Sequence, residues 1–341
     1  MASSNRPALL RAHMSKISSK PSELRPILTS LNGDNSWLMS FPVPSSGSSE
    51  VPMAVKLRKA YYHIVFDPWF ESSGASVTVA SWLIWVALAA PSTNIHHGDD
   101  VEQITREIER SVGTAGNDEE QPRGEGEDER MVDCIVISSR VTEHLHEASL
   151  RKFDRRIPVV AGWGYFETVV AMKDMGGDDD GSDWQDLHPN GPLPGWLTPF
   201  RLRESVQNYA IVIVWSHGLL DSEDSTQQPP CRHEALWVSP HGMHLDSPPF
   251  QAFLRDTTKT VDVLAMLHPL RDSFVSGWQT VLGGHGRAGG RESIWRAQEM
   301  PRTLEWGLEK EERSAREKGE AVVRRRPNLV EVNSGEYLVL E

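Results

Sequence analysis

The stretch Asp133-Cys-Ile-Val-Ile-Ser-Ser-Arg-Val-Thr-Glu-His-Leu-His146 decides how this fold is read. Its first half is a continuous apolar run of strand length. Its second half turns polar at once and carries a carboxylate at Glu143 and imidazoles at His144 and His146. A short apolar run bounded by polar residues fits a strand covered on both faces. Polar ligands just past the carboxyl end of such a strand are how many metallohydrolases assemble a site, because the sheet holds the loops rigidly.

Working outward, residues 147–153 place Leu150 and Phe153 on one helical face, and residues 157–161 form a second apolar strand. Strand, helix, strand implies a parallel pair and α/β layering. Upstream, residues 27–42 hold two apolar runs around Asn32-Gly33, the pattern of a β-hairpin. The run from Tyr61 ends at Asp67-Pro68, where proline cannot continue a ladder. Further strands are expected at 209–215, 234–239 and 261–267, each followed by a turn containing histidine: His217, His241 and His268. The glycines and prolines beside them are what any turn needs, so each of these histidines reads first as structural. Residues 301–324 are dense in Glu, Lys and Arg at helical spacing, with Leu304 and Leu308 on one face, and residues 329–340 read as a closing hairpin.

Composition bounds the function. The chain has 341 residues, 38% of them hydrophobic and 24% charged, enough to bury a sizeable core. A net charge of -13 argues against a general nucleic-acid binder, which gains free energy by releasing counterions from phosphates onto a basic face. Two cysteines give no disulfide framework, and Cys134 inside an apolar strand reads as a packing residue, so a reducing, cytoplasmic setting is the default. Residues 1–20 read as a disordered tail; their basic, Ser-rich, acid-poor composition also suits a mitochondrial presequence. The longest apolar stretch, residues 77–90, falls short of the roughly 20 residues needed to span a bilayer, and it reads as core or a partner-facing surface. Three acidic, Gly-rich segments, 111–129, 174–183 and 221–230, read as solvated insertion loops in one domain over 21–341.

Taken in order, Leu31 to Trp37, Phe66 to Phe70, Asp133 to Ser138, Thr142 to Leu150, Ile157 to Ala161 and Ala235 to Gly242 resemble the metallo-β-lactamase superfamily. The likeness is to fungal proteins of its ascorbate-6-phosphate lactonase-like branch. It implies an α/β fold, an αββα sandwich of two mixed β-sheets flanked by helices. The family signature His-x-His-x-Asp-His reads here Ser139, Arg140, Val141, Thr142, Glu143, His144. The first two histidines are lost, and valine cannot ligate. Near the end, Gln298 stands in the place of a further family histidine.

What survives is Glu143 as proton carrier or ligand, His144 and His146 as imidazole donors, and Asp67 at the end of its strand as a fourth contributor. Such a set holds at most one zinc or other divalent metal, and the chain acts, if it is an enzyme, on a small-molecule lactone, ester or phosphoester. The competing reading makes Glu143 and His144 the hydrogen-bonded opening of the 147–153 helix and the protein a non-catalytic binding or scaffold module. Asp67, Ser139, Glu143, His144 and His241 are expected around one cleft at the carboxyl edge of the sheets.

Overall fold

A computed structural model describes residues 24–33, 35–44, 59–70, 76–78, 85–87, 94–113, 130–140, 144–162, 169–175, 183–204, 208–217, 232–240, 243, 247–267, 271–274, 298–301, 313, 316–317 and 334–340. In chain order the elements are β1 (Ile27–Ser30), β2 (Trp37–Pro42), β3 (Tyr61–Phe66), β4 (Ser76–Thr78), β5 (Trp85–Ala87), α1 (Gly98–Gly113), β6 (Cys134–Ile137), α2 (Glu147–Leu150), β7 (Val159–Ala161), β8 (Val169–Ala171) and β9 (Asp174–Met175). A 3-10 turn at Trp184–Leu187 precedes β10 (Leu197–Arg203), β11 (Tyr209–Ser216) and β12 (His233–Val238). Then come α3 (Pro248–Ala252), which runs into a π-helical stretch at Phe253–Thr257, β13 (Val261–Leu267), β14 (Arg271–Phe274), β15 (Gln298–Pro301) and β16 (Tyr337–Val339). No helix among the described residues is long and apolar enough to cross a membrane.

The chain divides into two compact units, Met1–Leu267 with Val332–Glu341, and His268–Glu331. In the second, β14 and β15 pair antiparallel. The first is mixed α/β and contains two mixed sheets, ordered β16-β1-β2-β3-β6-β7-β8 and β13-β12-β11-β10-β9. In the larger sheet β1, β2 and β3 are antiparallel neighbours, whereas β3, β6, β7 and β8 run parallel. In the smaller sheet β10, β11 and β12 are antiparallel, flanked by parallel β9 and β13.

Period-2 alternation sorts the strand residues into three apolar clusters. Tyr62, Ile64, Phe66, Cys134 and Val136 of the larger sheet share one core with Tyr209, Ile211, Ile213, Trp215 and Leu236 of the smaller. The opposite side of the larger sheet, with Tyr61, Val65, Ile135 and Ile137, meets Val101, Ile104 and Ile108 of α1, which recur at i, i+3 and i+7. The opposite side of the smaller sheet, with Val212, Val214 and Trp237, meets Trp184, Leu187 and Phe253. Both central sheets are therefore covered on both sides, which is why β1, β3 and β6 are buried at every position.

The hairpin expected at 27–42 forms, with Gly33 at φ +74 in its turn. The β6–β7 pair is parallel, as the strand-helix-strand order requires. The intervening helix is shorter than expected: α2 ends at Leu150, and the chain tightens when Lys152 and Phe153 donate to the carbonyls of Ser149 and Leu150, three residues back. Leu150 and Phe153 still pack on the α1 side of the sheet. β7 starts at Val159 because Pro158 has no N–H for the ladder.

The acidic segment at 111–129 opens as the last turn of α1, and that at 174–183 opens as β9 and ends on Asp183 before the 3-10 turn; residues 114–129, 176–182 and all of 221–230 lie outside the described residues. Of the apolar run at 77–90, described residues belong to the antiparallel pair β4 and β5. Most of 301–324 and the first arm of the closing hairpin also lie outside them; β16 pairs with β1. The tail at 1–20 is likewise outside.

Candidate functional site

β3 delivers Asp67 to the carboxyl end of the larger sheet, beside the end of β6. Asp67 has φ +44, a left-handed backbone that Asp and Asn tolerate better than other side-chain-bearing residues. Two backbone contacts hold it there. Its N–H donates to the Val136 carbonyl at 3.0 Å, and its own carbonyl accepts from Ser36 Oγ at 2.5 Å. Ser36 Oγ in turn accepts the Trp69 N–H at 2.9 Å. Asn32 in the same hairpin turn donates from Nδ2 to the Trp69 carbonyl at 3.3 Å. The first hairpin thus clasps the segment from Asp67 to Trp69.

The Asp67 carboxylate collects donors from two further elements. Oδ1 accepts the Ser138 N–H at 2.7 Å. Oδ2 accepts Ser138 Oγ at 2.5 Å and His144 Nδ1 at 2.7 Å. Ser138 Oγ is also 3.0 Å from the Tyr209 hydroxyl. With the serine proton committed to the carboxylate, Tyr209 is the donor in that contact, so the chain of protons runs from Tyr209 to Ser138 to Asp67, with His144 donating from the other side. The His144 ring is 0% exposed and packs edge-on to Tyr209 at 6.5 Å between centroids. Its Nδ1 carries the proton, which leaves Nε2 as the lone-pair nitrogen whenever the ring is neutral.

His146 has a different job. It is the N-cap of α2, with Nδ1 accepting the Ser149 N–H at 3.3 Å and lying 2.8 Å from Ser149 Oγ. Ser149 Oγ itself accepts the Phe70 N–H at 2.8 Å, so its proton goes to His146, and His146 bears its own proton on Nε2. The ring stacks on Trp69 at 5.7 Å. The indole N–H of Trp69 is buried and has no hydrogen-bond partner among the described residues.

The residues expected around one cleft therefore divide. Asp67 and His144 meet; Ser139 is buried immediately after Ser138. Glu143, Val141, His241 and His268 lie outside the described residues. His217 bonds Glu234 Oε2 at 2.6 Å and lies tilted against the Trp215 ring, remote in partners from Asp67. Gln298 is in β15, in the second unit.

The donors among the described residues fit a metal poorly. Asp67 accepts on both oxygens, and His146 spends its lone pair on the cap. His144 has the tautomer of a ligand histidine, oriented by a carboxylate on its other nitrogen. Among the described residues, however, no group of three or more His, Cys, Asp or Glu side chains is placed to hold an ion.

A second buried constellation was not anticipated from the sequence. Ser40 Oγ is 2.8 Å from His63 Nδ1, and His63 Nε2 is 3.2 Å from Glu109 Oε1. The residue types are those of a nucleophile relay, but Ser40, His63 and Glu109 are 1%, 0% and 6% exposed. Glu109 also accepts the N–H groups of Ala60 and Tyr61, so it fastens α1 to the start of β3. Burial works to raise its carboxyl pKa, but the hydrogen bond and charge of His63 and the two backbone donors outweigh that and hold it below the ordinary value. Cys134 is likewise structural: burial, aided by the charge of Asp133, drives its thiol far above the usual range.

Ser138 and Tyr209 are the participants that sequence reasoning passed over. A serine directly after an apolar strand was a usable signal; a tyrosine opening β11 in the other sheet was not. No protein-family model, curated protein or solved structure matches this chain.

Proposed function

We propose that the chain is an αββα sandwich of the metallo-β-lactamase kind whose strand-end site has become a closed hydrogen-bonded clasp, and that it serves as a non-catalytic binding or scaffold module. The observation that carries this reading is the state of Asp67: its carboxylate accepts from the Ser138 N–H, the Ser138 hydroxyl and His144 Nδ1, and both it and His144 are buried. A carboxylate so engaged would have to surrender partners before ligating a metal, and a fully buried imidazole presents no face to a substrate. The three apolar clusters, one shared by the two sheets and one on each far side, support the sandwich assignment. The order of hairpin, Asp67 loop, β6 and α2 supports the kinship.

One observation favours a second reading. The Asp67–His144 pair fixes the tautomer that a single-metal hydrolase needs, and such an enzyme would act on a lactone, ester or phosphoester with Glu143 as proton carrier or ligand. Elemental analysis of the purified protein separates the two. Folded, metal-free protein is expected; stoichiometric zinc, iron or manganese that is lost in His144→Ala overturns the binding-module reading in favour of the hydrolase.

A further inference from the structure

Arg201, on β10 of the smaller sheet, reaches the place where β6 and β7 of the larger sheet end. Its partner there is Gly162, the residue after β7. A Cβ built on Gly162 would stand 2.9 Å from Arg201 Nη1 and 3.1 Å from the Ser138 carbonyl oxygen, so only a residue without a side chain lets the guanidinium lie against this edge. Ser138 is also the residue that holds Asp67, which places the arginine beside the clasp.

The guanidinium is fixed along one side. Nε donates to Asp174 Oδ1 at 2.6 Å and Nη2 to Asp174 Oδ2 at 2.9 Å, a two-point pairing that sets the plane of the group. Nη1 makes no hydrogen bond among the described residues, and the side chain is 15% exposed. Three N–H groups, two on Nη1 and one on Nη2, are not used by the Asp174 pairing, and two of them point off the Nη1–Nη2 edge. Arg203 Nη1 lies 3.7 Å from the same aspartate. Two arginines on the one Asp174 carboxylate leave a local excess of positive charge on a chain of net charge -13.

We propose that the Nη1–Nη2 edge of Arg201 is a binding subsite for an oxyanion, the carboxylate or phosphate of a small ligand, at the carboxyl ends of β6 and β7. A planar fork pre-set by Asp174 matches the two oxygens of such a group, and it loses little rotamer freedom on binding because the aspartate has already ordered it. The inference names the ligand class of the module proposed above and rests on that reading for the use of the site.

The test is a titration of the full chain with inorganic phosphate and with acetate, followed by thermal midpoint and by calorimetry, with sodium chloride at matched ionic strength as the control. Phosphate is expected to raise the midpoint beyond chloride, and Arg201→Met to weaken its binding roughly tenfold or more, as loss of a charged hydrogen-bonding partner does. Arg201→Lys keeps the charge without the fork and is expected to bind less tightly than wild type; Arg203→Met is expected to retain the response. If acetate alone acts, the ligand is a carboxylate, and if both act, the shared chemistry suffices. Equal shifts with chloride, or an Arg201→Met or Arg201→Lys protein that binds as tightly as wild type, overturn the proposal. Failure of phosphate and acetate on metal-free protein removes this inference alone, whereas Arg201-dependent binding by a protein whose metal is lost in His144→Ala removes the binding-module reading alone.

Discussion

Asp67→Asn isolates the chemistry of the clasp. Asparagine has nearly the same shape and also tolerates the left-handed backbone, so the φ of +44 adds no new strain. Its Oδ1 can keep the Ser138 N–H, but its NH2 group then faces the Ser138 hydroxyl and His144 Nδ1–H, both donors in the native arrangement. Serine can rotate and the imidazole can change tautomer, so donor clashes are relieved at the expense of three charge-assisted hydrogen bonds becoming neutral or lost. At about 1 kcal/mol of difference for each bond, the loss is about 3 kcal/mol, near the lower end of the cost of breaking a buried charged pair. The folded-to-unfolded ratio then falls by roughly two orders of magnitude. Urea denaturation at equal slope measures it. A loss under about 1 kcal/mol, or a gain, would refute the view that this carboxylate is held for structure, because its removal would then relieve more desolvation than it sacrifices in bonding.

Other consequences follow from the same contacts. His146→Ala removes the α2 cap and is expected to destabilise by about 1 kcal/mol, clearly less than Asp67→Asn, in the same denaturation assay. Gly162→Ala forces a Cβ to within 2.9 Å of Arg201 Nη1 and 3.1 Å of the Ser138 carbonyl, an overpacking expected to cost about 1–3 kcal/mol by the shift in urea midpoint. Glu109 has a folded pKa below its unfolded value, so its stabilisation is present above the ordinary glutamate range and is lost as pH falls through the lowered value. Stability measured against pH should therefore drop on the acid side, and Glu109→Gln should flatten that drop; an unchanged acid slope counts against the His63 and backbone contacts as its cause. Trp69→Phe deletes a buried N–H that has no acceptor among the described residues, so its loss of ring contacts is partly offset, and a change below about 1 kcal/mol is expected by thermal denaturation.

Several features were legible in the chain because they depend on near neighbours. The apolar run at 133–138 could only be a buried strand, Asn32-Gly33 could only turn, and Asp67-Pro68 had to end its ladder; all three stand where the sequence placed them. β10 was missed because Pro199 sits in its middle, where a ladder would lose a donor. The fold accommodates it because β9 pairs only with Arg201 and Leu202, leaving Pro199 without a neighbour on that side. α1 was missed beside the acidic composition that follows it, although Val101, Ile104 and Ile108 carry its apolar stripe.

For the site, sequence alone determined which side chains have donor or acceptor chemistry at a strand end, including Asp67, His144 and His146. It also determined that Val141 has no atom with which to ligate. Tertiary structure decided who uses those groups. Asp67 is shared by Ser138 and His144, and Tyr209 comes from the other sheet to the same serine across 71 residues of sequence. His146 turns its lone pair to α2, and Arg201 stops against Gly162. The physical reason is that a buried polar group is assigned by whichever partners packing brings within hydrogen-bonding reach, and that depends on how two sheets meet, which no local pattern encodes.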